Sequence, residues 1–193
     1  MTYPILEHIY STKRPDDIVV LSSGHAGLAQ YVVLEKTQGS DADDLYEKHG
    51  THPHRDTSDG IHVSSGSLGS AILVAVGIAL GNNNRHVYCI ISDGECAEGS
   101  IWEALAFIEI QKLTNISVHV NINGYSAYNT VNTDYLQSRL LSFLPSVHIW
   151  KTNAPSLEFM EGLQSHYHTI KSPAERELLI DSVKTQVFAV KHI

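Results

Sequence analysis

Asp17-Ile18-Val19-Val20-Leu21-Ser22 is a continuous β-branched run that ends in Ser22-Ser23-Gly24, and it sets the terms for the rest of this 193-residue chain. His86–Ile91 repeats the form and ends at Ser92-Asp93-Gly94; Ile116–Val120 and Val147–Trp150 read as further strands. Apolar runs that are continuous, not alternating, suit strands buried on both faces, as in a parallel sheet covered by helices. Helical spacing falls between them: about His25–Glu35, Leu68–Leu80 closed by Gly81-Asn82-Asn83-Asn84, Glu98–Lys112 with Ile101, Trp102, Leu105 and Ile108 on one side, Asp134–Leu144, and a terminal helix from Ser172 with Pro173 near its start. The alternation predicts an α/β fold: three layers, a doubly wound and mostly parallel sheet, helices on both faces. Thr37–Ser67 is polar, punctuated by glycine and holds no convincing periodic segment, so it reads as a long loop of the kind that is usually functional or disordered.

With 42% hydrophobic and 18% charged residues, residues 1–193 are expected to form one soluble domain. A net charge of -8 without any Lys/Arg cluster argues against nucleic acid or anionic lipid as partners. Leu68–Leu80 falls short of the roughly 20 residues a membrane span needs. Cys89 and Cys96, with no signal-peptide pattern ahead of them, fit a reducing cytoplasm.

Ligands of doubly wound sheets gather outside the carboxyl ends of the strands, which is where Asp93-Gly94 and Asn121-Ile122-Asn123 fall. An Asp-Gly after a strand is also a common turn or helix cap. Here, however, two strand ends together offer one charged and one neutral side-chain oxygen, from Asp93 and Asn123. Magnesium takes about six oxygens and only one or two carboxylates, which leaves room for a diphosphate. Gly94 has no side chain to block close approach of an anion, and the helix beginning near Glu98 turns free N–H groups toward the same space.

These residues resemble the cofactor motif of thiamine-diphosphate enzymes, a Gly-Asp-Gly followed by an asparagine-rich segment. Ser92-Asp93-Gly94-Glu95-Cys96-Ala97-Glu98-Gly99-Ser100-Ile101-Trp102-Glu103-Ala104 is similar to the transketolase version. Leu21-Ser22-Ser23-Gly24-His25-Ala26, Gly50-Thr51-His52-Pro53 and Ser65-Gly66-Ser67-Leu68-Gly69 match in the same order, and Ser156–Gly162 resembles the stretch that leads to a functional histidine, here His166.

The resemblance implies thiamine diphosphate and Mg2+ as cofactors, with Asp93, Asn123 and the carbonyl of Tyr125 as metal ligands. It puts Gly66, Ser67, Leu68, Ser92, Asp93, Gly94, Glu95 and Asn123 against the cofactor. His25, His52 and His166 would line the active site as proton-handling residues. Glu98 and Glu103 would stand on a helix at a subunit interface, near the glutamate of a neighbouring domain that activates the cofactor. Without the motif, His52-Pro53-His54 reads as a polar turn, and a zinc site there lacks further ligands at suitable spacing.

The sequence also departs from the transketolase pattern. Ser92 replaces the first glycine, Gly66-Ser67-Leu68-Gly69 lacks the proline of Gly-Pro-Leu-Gly, the N-terminal Ser-Gly-His-Pro-Gly segment is absent, and a strand-and-helix unit between Asn123 and Phe159 is missing. Because the chain ends at Ile193, near the close of the first transketolase domain, the resemblance implies a hetero-oligomer with a separate chain carrying the pyrimidine-binding and C-terminal domains. The function so implied is the N-terminal subunit of a split transketolase-like enzyme that moves a two-carbon ketol unit between sugars or sugar phosphates. A related thiamine-diphosphate enzyme on an unusual sugar and a non-catalytic cofactor-binding subunit stay open as alternatives.

Overall fold

The computed structural model describes residues 2–126, 129–152, 157, 169–185 and 191–192. Along the chain run α1 (Tyr3–Thr12), β1 (Ile18–Leu21), α2 (Gly27–Gln38), α3 (Ala42–His49), α4 (Ala71–Gly81), β2 (Val87–Ser92), α5 (Gly99–Gln111), β3 (Ile116–Ile122), α6 (Thr133–Phe143), β4 (His148–Lys151), α7 (Pro173–Thr185) and β5 (Lys191–His192). The strands lie in chain order, β1 to β4 all parallel and β5 antiparallel to β4. Val20, Cys89 and Val118 stand side by side in register, as do Leu21, Ile90, His119 and His148 on the other face.

Both faces are covered, which explains the continuous apolar runs. Ile18, Val20, Cys89, Ile91, Val118, Val120 and Ile149 pack under α4, α5 and α6. Val19, Leu21, Ile90 and Trp150 pack under Ile5, Leu6 and Ile9 of α1 and Val33 of α2. The result is the expected three-layer α/β arrangement. On the α1 side β3 is polar: His119 accepts the Trp150 indole N–H at Nδ1 (3.0 Å), and the Asn121 side chain accepts from Thr152 Oγ1 (2.6 Å) and donates to Thr2 Oγ1 (3.4 Å).

The elements stop where the local chemistry requires. α2 ends on Gly39 at φ 74°. The Asp41 side chain caps α3 by accepting from the N–H groups of Asp43 and Asp44. That helix lies in the segment expected to be a loop, since in Ala-Asp-Asp-Leu-Tyr-Glu-Lys-His only Ala42, Leu45 and His49 are buried and the apolar periodicity is too thin to read. α4 begins at Ala71 instead of Leu68, because Gly69 takes φ +72° and Ser70 N–H bonds back to Ser67 in a turn. Among the described residues no helix is long and apolar enough to cross a membrane.

Candidate functional site

At the carboxyl end of the sheet, three glycine-bearing segments touch. A Cβ on Gly24 would lie 2.6 Å from Gly66 N, 2.8 Å from Gly66 Cα and 2.8 Å from His52 Cδ2. Gly66 itself takes φ +119°, a backbone that L side chains rarely adopt, with the His52 ring 2.9 Å from where its Cβ would be. The turn after β1 and the 66–69 loop are therefore in contact through backbone, with the His52 ring against both, leaving no room for a methyl group. His25 and His52 are both exposed at this end, as are Ser67 and Leu68.

Two carboxylates tie the remaining segments together. Glu95 is fully buried and accepts from Ser22 Oγ (2.5 Å), Ser23 Oγ (2.9 Å), the N–H of Ser92 (3.0 Å), Ser92 Oγ (3.3 Å) and the N–H of Gly69 (3.3 Å). It joins the end of β1, the end of β2 and the 66–69 loop. The residue expected at the cofactor thus turns its carboxylate inward, to hold the cradle together. Ser22 and Ser23, small residues after a strand, carry no sign of this role until the acid that needs them is placed beside them. Ser92, the departure from glycine, uses its hydroxyl on Glu95, giving the substitution a structural purpose.

Asp93 is 2% exposed. Its Oδ2 accepts from the N–H groups of Asn123 (2.8 Å) and Gly124 (2.7 Å), and its Oδ1 from that of Gly94 (3.0 Å). Burial pushes the carboxyl above its ordinary range, against the lowering by these backbone donors, and no basic side chain contributes to the balance. Asn123 Oδ1 accepts from the N–H of Tyr125 (2.9 Å) in a tight turn where Gly124 takes φ +86°, and the Gly124 carbonyl accepts from Val131 N–H. That turn brings the Tyr125 carbonyl to 3.9 Å, and Ser126 Cα to 3.3 Å, from where a Gly94 Cβ would stand. The Asp93 carboxylate, the Asn123 amide oxygen and the Tyr125 carbonyl oxygen thus lie on two adjoining segments beside a residue without a side chain. Oxygen donors of this kind suit a hard divalent cation such as magnesium.

Glu98 precedes α5 and its Cβ lies 2.8 Å from the Cβ position of Gly69, so it stands against the 66–69 loop; Glu103, one turn into α5, is exposed. His166 and, apart from Leu157, the Ser156–Gly162 match lie outside the described residues. Asn121, one residue before Ile122, is spent on Thr152 and Thr2 and takes no part. Another cluster with metal-binding spacing, His49, Asp56 and Asp59, is already filled: Lys48 Nζ donates to Asp56 (2.8 Å) and Asp59 (2.7 Å), and His49 Nε2 lies 2.7 Å from Asp59.

A sheet with helices on both faces and polar groups gathered at its carboxyl end defines the class, and the comparisons narrow it. The 1-deoxy-D-xylulose-5-phosphate synthase family model (DXP_synthase_N) matches residues 5–188, and the chain belongs to that family. Among its relatives, the 6-deoxy-6-sulfo-D-fructose transketolase subunit SqwG of Clostridium sp. is 30% identical over 156 residues, covering 76% of this chain and 54% of the relative. One of the subunits of the apulose-4-phosphate transketolase of Actinobacillus succinogenes is 24% identical over 212 residues, 88% of this chain and 76% of the relative. The crystal structure of Campylobacter jejuni transketolase shares the fold, with a TM-score of 0.59 at 21% identity over 87% of this chain and 34% of that one. The chain spans less than half the length of further relatives, among them human transketolase, of which it covers 19%. The N-terminal transketolase-type architecture expected from the motifs is the one found.

Proposed function

We propose that this chain is the N-terminal subunit of a split transketolase-like enzyme, a single domain that binds thiamine diphosphate through Mg2+ and transfers a two-carbon ketol unit between sugars. The observation that carries the reading is Asp93: a buried carboxylate with only backbone donors, next to the Asn123 oxygen and the Tyr125 carbonyl, at a glycine. Asp93, Asn123 and Tyr125 would hold the metal, and the Gly66-Ser67-Leu68 backbone would face the aminopyrimidine ring. Thiamine diphosphate, when bound, supplies the carbon nucleophile and electron sink for cleaving the ketose carbon–carbon bond. His25 and His52, exposed at the rim, would take and return protons at the substrate hydroxyls, with His166 as a third such group.

A carboxylic acid beside the aminopyrimidine is also needed, and it would come from a second chain carrying the pyrimidine-binding and C-terminal domains. Relatives named as transketolase subunits support a partner chain. Exposed Glu98 and Glu103 at the start of α5 offer it a surface beside the 66–69 loop. Two free, buried thiols, Cys89 and Cys96, support a cytoplasmic setting. The family's name favours a second reading, in which the same cofactor chemistry builds a deoxyxylulose phosphate. Mixing this chain with the product of the neighbouring reading frame, thiamine diphosphate and magnesium decides between them. Ketol transfer from a common ketose donor is expected; none from any donor would refute the leading reading.

A further inference from the structure

At the amino ends of the strands, across the sheet from Asp93, two cavities share His62 and Arg85 as walls. The larger is a cleft of about 500 Å³, within the range of metabolite sites. Its apolar floor is Ile18 at the start of β1, Val63, and Val74 and Ile78 on α4; its polar rim includes Arg55, Thr57, Ser64 and Arg85. No acidic residue lines it. In a chain with 21 acidic residues, Arg55 and Arg85 nevertheless make no ion pair among the described residues. The smaller cavity, of about 200 Å³, adds Lys13, whose ammonium donates to the carbonyls of Arg14, Pro15 and Asp17. Its two acids are Asp16 and Asp17, and Asp17 is taken by Arg14.

The half-buried His62 ring senses this imbalance. Burial lowers it below the ordinary imidazole range, and the charges of Lys13, Arg55 and Arg85 lower it further, with no carboxylate acting the other way. Two guanidinium groups with free fork geometry, next to two hydroxyls, match the several oxygens of a dianionic head better than a single carboxylate.

We propose that this cleft binds a small phosphate monoester, its head between Arg55 and Arg85 and its apolar body on Ile18, Val63, Val74 and Ile78. The site is separate from the diphosphate cradle: Arg85 precedes β2 and Asp93 follows it, roughly 25 Å of extended chain apart.

The test is a titration of the full chain, labelled at its histidines, with phenyl phosphate, inorganic phosphate and benzoate, following the His62 resonance by NMR. Phenyl phosphate is expected to shift it saturably and to bind about tenfold or more tighter than either other probe, its apolar ring supplying the margin over inorganic phosphate and its dianionic head the margin over benzoate. Arg55→Gln and Arg85→Gln should each weaken binding by about tenfold, with unchanged circular dichroism as proof of folding, while Asp93→Asn should leave it unaltered. No saturable shift, wild-type affinity in both arginine variants, or loss in Asp93→Asn would overturn the site. Benzoate or inorganic phosphate binding as tightly as phenyl phosphate would overturn the ligand class.

Discussion

Asp93 and Glu95 are two residues apart and both buried, yet their surroundings differ in kind. Glu95 meets three serine hydroxyls and two backbone N–H groups, all supplied from within the protein, so it is satisfied with nothing bound. Asp93 meets only backbone N–H groups, from segments that a cation would also use. Replacing Glu95 by Gln turns an amide NH2 toward donors that have lost their acceptor. It is expected to destabilise the fold by about 2–3 kcal/mol in chemical denaturation, the scale of a buried charged hydrogen-bond network left unsatisfied; a change within about 0.5 kcal/mol would be that of an ordinary surface site. Gly24→Ala tests the contact of the three loops. Its methyl group would overlap the Gly66 backbone, which has no side chain to swing aside, and a loss of about 2 kcal/mol or more is expected in thermal unfolding. Wild-type stability for that variant would mean the loops do not meet this closely.

The strands were legible because burial on both faces removes polar residues from their sequence, and α5 and α6 because their apolar spacing survives over three turns. α3 was hidden by its acidic surface, and the start of α4 by glycine geometry that an apolar run does not reveal. Motif order pointed to Asp93, Asn123 and the 66–69 loop; it could not reveal that Glu95 faces inward, which depends on Ser22 and Ser23 arriving from a distant segment. At the other end of β1, Asp17 shows how a strand is anchored. Burial alone would raise its carboxyl, but the Arg14 guanidinium and the N–H groups of His86 and Arg14 outweigh it and hold the value at about 2. A depressed carboxyl contributes stability above its unfolded value near 4 and loses it as pH falls toward 2, here about 2 kcal/mol. The difference in unfolding free energy between wild type and Asp17→Asn should therefore shrink by about that amount from pH 5 to pH 2. A constant difference would show that Arg14 does not set this carboxyl.

The two proposed sites lie at opposite ends of the strands: the diphosphate cradle at their carboxyl ends, the arginine-rimmed cleft at their amino ends. An acidic chain of net charge -8 has little general attraction for anions, so anion affinity has to be built locally. At the proposed cradle the means would be a cation, a glycine and backbone N–H groups; in the proposed cleft they would be two arginines. The chain spans about half of SqwG and a third of the solved transketolase. The most direct test of the proposed cradle is calorimetric titration of this chain with thiamine diphosphate, with and without magnesium, for wild type, Asp93→Ala and Asp93→Asn. The account predicts magnesium-dependent binding by the wild type that both variants lose while remaining folded; binding unchanged by either substitution, or indifferent to magnesium, would contradict it.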